Sequence, residues 1–219
     1  MNGDQKVIRI HDDEMPALGL GTWQLKGDEC AWAVQRALEI GYRHIDTAQM
    51  YANEKQVGKA LSMRVAPLSR VSLTTKITPE NLGSDDVISS TEASLKNLQT
   101  DYVDLLLIHW PNPEIPLDET LSAMNKLVEQ GKAHHIGVSN FTVDLTKQAC
   151  ELSDVPIFAN QVEYHPYLSQ QKLLDCCRGN DVVLTAYSPL ARGEVPGDTG
   201  LKDIGDKYGK TASQVSLRW

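Results

Sequence analysis

The chain has 219 residues, 41% of them hydrophobic, enough for one sizeable core. Its formal net charge of −8 argues against nucleic acid or an anionic membrane surface as a principal partner. No apolar run approaches the roughly 18 residues a membrane span needs, and the polar segment from Met1 to Glu14 lacks the apolar stretch of a signal peptide.

The predicted elements begin with a small hairpin, in which Val7 to Ile10 and Ala17 to Leu20 flank a polar turn containing Asp12-Asp13-Glu14. Short apolar runs then recur as candidate strands: Gly19 to Trp23, His44 to Ala48, Val71 to Ile77, Val103 to Trp110, His135 to Ser139, Ile157 to Val162 and Val182 to Tyr187. Amphipathic helices lie between them. Asp28 caps one with Ala31, Val34 and Leu38 on a shared face and Gly41 as its stop. Ser84 opens another. Leu121, Met124 and Val128 line a third, ended by Gly131, and Thr211 with Gln214 makes a capping box for the last. Strands alternating with helices predict a parallel sheet with right-handed crossovers. Residues 1–219 read as one α/β domain of the (β/α)8 TIM-barrel type, short against the roughly 250 residues such a barrel usually takes.

An open doubly wound sheet gives a similar pattern. It usually announces its site with a Gly-rich first turn, and neither GxGxxG nor GxxxxGK[ST] is present. Polar residues instead stand at the C-terminal ends of several strands: Asp46, Lys76, His109, Asn140 and Gln161. In a closed barrel those ends converge on one face. Strand parity puts Leu105, Leu107 and His109 on one face and Ser72, Thr74 and Lys76 on one face. If both point inward, Lys76 and His109 meet at the mouth, with Asp46 ending its own strand and Tyr51 in the loop above.

Reducing a carbonyl needs a hydride on carbon and a proton on oxygen. Tyr51 can deliver the proton, but a phenol has a reference pKa of about 10. The Lys76 cation is expected to lower it, and Asp46 to hold Lys76 charged and oriented. A neutral His109 can hydrogen-bond the substrate oxygen. Taken singly, Lys76 reads equally as a structural ion-pair partner, His109 as a core histidine, and Tyr51 as a surface ring. Trp23 and Trp110, taken singly, read as packing.

The sequence resembles the aldo-keto reductase family over nearly its whole length. The segments that carry the resemblance are MPALGLGTW (15–23), GYRHIDTAQMY (41–51), TTK (74–76) and DYVDLLLIHWP (101–111). IGVSNF (136–141), NQVEYHP (160–166) and AYSPL (186–190) follow in family order. The resemblance implies a catalytic tetrad of Asp46, Tyr51, Lys76 and His109, with Tyr51 as general acid. It implies a nicotinamide cofactor, NADPH with NADH not excluded, whose carboxamide is held by Ser139, Asn140 and Gln161 and whose ring stacks on Tyr187. Gly21, Thr22 and Asp46 are further implied cofactor contacts, and Ser188 to Gly193, Leu190 among them, would follow the pyrophosphate. Trp23 and Trp110, with Tyr51 and His109, would wall a pocket for an aldehyde, ketone or sugar carbonyl. The motifs are most similar to bacterial-type members acting on 2,5-diketogluconate or methylglyoxal.

The family pattern continues with an eighth strand ending in Lys-Ser, then an Arg and an Asn for the adenosine 2′-phosphate and a loop over the substrate. These residues do not occur in the sequence, so a C-terminally incomplete barrel is expected. The alternative function is a catalytically impaired nicotinamide-binding protein with a regulatory or redox-sensing role; a barrel with unrelated chemistry is a third. No metal site is expected. His134 and His135 are adjacent on a strand and point to opposite faces. Cys30, Cys150, Cys176 and Cys177 form no CxxC pair and read as reduced, packing thiols of a cytoplasmic protein. A monomer is expected.

Overall fold

The structure, a computed structural model, describes residues 6–10, 13–63 and 70–219. Two short strands, β1 (Val7–Ile10) and β2 (Asp13–Pro16), pair antiparallel with Val7 opposite Pro16 and Ile10 opposite Asp13. The second strand thus lies earlier than the expected 17–20. This register sets Ile8 opposite Met15, and Met15 lies in the core. Glu14 is therefore on a strand, ion-paired with Arg9 at 2.6 Å, rather than in a turn. Asp12 lies outside the described residues.

The rest of the chain alternates strand and helix: β3 (Leu20–Gly21), α1 (Gly27–Glu39), β4 (His44–Asp46), α2 (Glu54–Ser62), β5 (Ser72–Ile77), α3 (Ser84–Leu98) and β6 (Val103–Ile108). It continues with α4 (Leu117–Glu129), β7 (Ala133–Ser139), α5 (Val143–Leu152), β8 (Ile157–Glu163), α6 (Gln171–Gly179), β9 (Val183–Tyr187), α7 (Thr199–Asp206) and α8 (Ala212–Arg218). Strands β3 to β9 form one seven-stranded sheet in sequence order, every neighbouring pair parallel. The result is a nearly closed TIM-type barrel with β3 and β9 as its edges.

The helices form because each carries one apolar stripe. On α4, Leu121, Met124 and Leu127 are fully buried against the sheet; burial of each such side chain contributes roughly 1.5–3 kcal/mol. The cap of α1 differs from expectation. Its N-cap is Lys26, and Asp28 lies inside the first turn with Glu29, where carboxylates complement the positive end of the helix dipole. The Thr211–Gln214 capping box is present, with Gln214 N donating to Thr211 Oγ1 at 3.2 Å and Thr211 N to Gln214 Oε1 at 3.0 Å.

Strand alternation sorts the core into two parts. Leu73, Leu106, Ile108, Ile136 and Val138 face the helices and join the large outer core. Leu105 and Leu107 face inward and pack with Met15 of the hairpin, which floors the barrel, and with the adjacent Phe158 and Ala159, where the β7–β8 register shift interrupts the alternation. His44 also lies near this floor. Its Nε2 is 3.1 Å from Thr74 Oγ1, and a Cβ at Gly19 would come within 2.8 Å of its ring. The adjacent histidines diverge as expected: His134 stacks on Tyr102 and approaches Asp104, while His135 packs on Phe158. All four cysteines are free thiols, and Cys176 and Cys177 are buried on α6. Among the described residues, no helix is long and apolar enough to cross a membrane.

Candidate active site at the C-terminal mouth of the barrel

The strand ends bring Asp46, Lys76 and His109 to one mouth. Asp46 closes β4, Lys76 sits one residue before the end of β5, and His109 directly follows β6. Lys76 is fully buried. Its Nζ hydrogen-bonds Asp46 Oδ1 and also donates to the Thr47 carbonyl at 3.0 Å. The Tyr51 hydroxyl is 3.5 Å from the same nitrogen. Tyr51 is carried by a one-turn 3-10 helix, Gln49–Tyr51, ended by Ala52 in the left-handed region at φ 54. Its ring stands edge-on to His109, centroids 5.5 Å apart.

The electrostatics differ from the sequence expectation in one respect. The Tyr51 phenol is held above its usual range, first by burial and then by the Asp46 charge. Lys76, 3.5 Å from the phenol, does not reverse this, because its charge is matched by the contacting Asp46 carboxylate. The phenol therefore stays protonated, as a proton donor requires. Burial, followed by the Lys76 charge, pushes the His109 imidazole down to about 4, so it is neutral near pH 7. Its Nδ1 is buried with no hydrogen-bond partner among the described residues. Burial lowers the Lys76 pKa, opposed by the charge and hydrogen bond of Asp46.

The expected cofactor residues cluster beside this set. Ser139 Oγ donates to the Gln161 carbonyl at 2.8 Å. The Asn140 amide donates to the His109 carbonyl at 2.9 Å and to Ser139 Oγ at 3.1 Å, and its oxygen accepts from the Tyr187 hydroxyl at 3.0 Å. Asn140 adopts φ 62, a left-handed conformation that asparagine tolerates better than most residues. It follows a shift in the β7–β8 register, where Ile136 to Val138 of β7 spans Ile157 to Asn160 of β8 and the extra residue lies on β8; such features re-aim side chains near sites. Gln161 Nε2 reaches across the barrel to Asp46 Oδ2 at 2.8 Å. Gly21 pairs in register with Asp46, and Thr22 donates through both N and Oγ1 to the Asp46 carbonyl. Ser188 (φ 48) and Leu190 lie in the turn after β9.

Trp110 is 45% exposed and lines a cleft of about 650 Å³ together with Asn140, Phe141, Val162, Glu163 and Tyr187. Trp23, 53% exposed on the loop after β3, is not among the residues lining that cleft. The sequence reading passed over Asn53, Thr47 and Glu54. Thr47 Oγ1 donates to Asn53 Oδ1 at 2.7 Å, and Thr75 Oγ1 donates to Glu54 Oε1 at 2.7 Å, both pairs buried. The signal was an Asn-Glu pair directly after the Tyr51 turn, which reads as an ordinary helix start.

A hydroxyl and two amides at the ends of β7 and β8, beside an aromatic ring and opposite a phenol–ammonium–carboxylate set, suit a planar amide-bearing ring. The fold and this site define an α/β-barrel protein of oxidoreductase type. Residues 17–219 match the Aldo/keto reductase family. Methylglyoxal reductase DkgB of Salmonella typhimurium is 42% identical over 208 residues, covering 94% of this chain and 78% of that protein. A solved structure provisionally named 2,5-diketo-D-gluconic acid reductase B is 46% identical with a TM-score of 0.95, over 97% of this chain and 76% of that one. A Bombyx mori aldo-keto reductase solved in complex with NADP is 32% identical with a TM-score of 0.89, over 97% of this chain and 79% of that one. The chain belongs to the aldo/keto reductase family.

Proposed function

We propose that the protein reduces a small aldehyde or ketone with a nicotinamide cofactor, with Tyr51 as the proton donor. The observation that carries this reading is the Tyr51 hydroxyl 3.5 Å from the buried Lys76 ammonium, which is itself held by Asp46. When bound, the reduced nicotinamide supplies the hydride. The residues present fit such a group: Ser139, Asn140 and Gln161 offer donors and acceptors to a carboxamide, and Tyr187 lines a cleft together with Asn140. Gly21, Thr22, Ser188 and Leu190 would flank the rest of it, with NADPH as the expected form.

The chain's own groups divide the remaining work. The Tyr51 phenol hydrogen-bonds the substrate oxygen and releases its proton as negative charge develops there. Lys76, 3.5 Å away, stabilises the phenolate left behind. His109, neutral near pH 7, donates a hydrogen bond to the same oxygen and sets its direction. Trp23 and Trp110 shield parts of the substrate from water. The relative named methylglyoxal reductase makes an α-oxoaldehyde the first substrate to try. The working enzyme is proposed to be monomeric and cytoplasmic.

The test is turnover of methylglyoxal and a panel of aldehydes, followed by NADPH absorbance. Tyr51→Phe should lower kcat by roughly 10²–10⁴-fold, the usual worth of a general acid, with NADPH affinity retained. Turnover surviving that change would sink the assignment of the proton donor.

A further inference from the structure

Asn53 occupies the N-cap position of α2, a position where asparagine ordinarily bonds the first turn of its own helix. Here its side chain makes no capping bond. The residue is 1% exposed. Both amide N–H groups point the other way, to the Thr22 carbonyl at 2.8 Å and the Leu25 carbonyl at 3.0 Å, and the amide oxygen accepts from Thr47 Oγ1 at 2.7 Å. The helix has therefore given up a cap worth about 1 kcal/mol in an ordinary setting, and the amide serves a different connection.

The three partners all bear on the mouth. Thr22 and Leu25 flank Trp23 on the loop after β3, and Thr22 also holds the Asp46 carbonyl through its own N and Oγ1. Thr47 follows Asp46, and its carbonyl is the second acceptor for the Lys76 ammonium, at 3.0 Å. Asn53 itself stands two residues after Tyr51. One side chain thus joins the segment that carries the phenol to the segment that seats the ammonium and to the loop that carries Trp23.

Resting on the reading of Tyr51 as proton donor, we propose that Asn53 is a positioning residue that fixes the distance between the Tyr51 hydroxyl and the Lys76 ammonium. It touches neither reacting atom and works through Thr47 and the Tyr51 turn. Two neighbours pin the same turn from other sides: Gln49 accepts from Thr78 N at 3.1 Å, and Glu54 accepts from Thr75. Asn53 is the one that links directly to a Lys76 acceptor. Because it also holds the Trp23 loop, its loss should act on substrate binding as well as on kcat.

The experiment compares wild type with Asn53→Ala, Thr47→Val, Tyr51→Phe and a control of similar burial away from the mouth, Thr91→Val. Thr91 lies on α3, where its hydroxyl bonds the Val87 carbonyl. Unfolding and NADPH binding are measured for each. Kinetics with methylglyoxal give kcat and KM, and 3-fluorotyrosine placed at position 51 gives a 19F resonance that reports the phenol's surroundings without turnover. Asn53→Ala should lower kcat about tenfold or more, since a misplacement of about 1 Å can cost on the order of 100-fold. NADPH affinity should stay within about threefold, and the single narrow 19F line should broaden or split. Thr47→Val should shift both readouts in the same direction by less, and it decides the matter if Asn53→Ala does not fold. Thr91→Val should leave both unchanged. A folded Asn53→Ala or Thr47→Val protein with wild-type kcat and a wild-type 19F line overturns this proposal alone. Wild-type kcat in Tyr51→Phe instead removes the reading beneath it.

Discussion

Gln161 donates a hydrogen bond to the free oxygen of Asp46 at 2.8 Å, while the other oxygen of that carboxylate takes the Lys76 ammonium. A residue expected to hold a cofactor amide therefore also steadies the charge that steadies Lys76. Replacing it with glutamate sets two carboxylates against each other, and such pairs keep a proton to higher pH. In Gln161→Glu that shared proton restores a donor toward Asp46. The kcat of the variant relative to wild type should rise as pH falls from 8 to 5.5, measured side by side; a flat ratio would break the link.

Lys76→Met should destabilise the fold by about 3–5 kcal/mol, because it strands a mostly buried carboxylate. Asp46 is only 13% exposed and Lys76 not at all. Adding Asp46→Asn should recover much of that loss, so urea unfolding of the two single variants and the double variant should be clearly non-additive.

Acid should weaken the protein through His109. Its pKa is about 4 in the fold and near 6.5 when unfolded, so between those values the unfolded chain binds the extra proton. Stability is therefore lost as pH falls from about 6.5 to about 4. The share due to His109 is at most about 3 kcal/mol and smaller where water at the mouth screens it. Buried His44, also shifted down by burial, acts in the same direction. Denaturation midpoints at pH 7 and pH 4.5 should lie closer together in His109→Gln than in wild type.

Gly137→Ala tests how closely β7 and β8 approach. An added Cβ would meet the Ala159 carbonyl oxygen at 2.6 Å and Leu107 Cδ2 at 2.8 Å. Overpacking of this kind costs about 1–3 kcal/mol. Because Ser139 and Asn140 lie two and three residues further on, NADPH affinity should fall together with the melting temperature. A change in melting temperature alone would mean the strain stops short of the site.

The barrel and its inner face were legible because period-two alternation reports facing directly: Leu105 and Leu107 went inward and Leu106 and Ile108 outward, as their parity required. The same rule carried Lys76 and His109 to the mouth. Local chemistry with more than one outcome was harder to read. Asp28 suits a cap, but it also suits the first turn, where it lies. Asp13 and Glu14 suit a turn, yet the register with Val7 to Ile10 made them strand. Asn53 looks like a cap and is a clamp. The Gln161–Asp46 bond joins residues 115 positions apart and leaves no local trace. The phenol's acidity is set first by its burial and then by the Asp46 charge, and no spacing encodes either.

Met15, Leu105, Leu107 and Phe158 pack together above the hairpin and fill that end of the lumen. If Tyr51 is the proton donor, its phenol would regain a proton from the mouth, the end opposite that packing, so replenishing water would share that approach with the substrate.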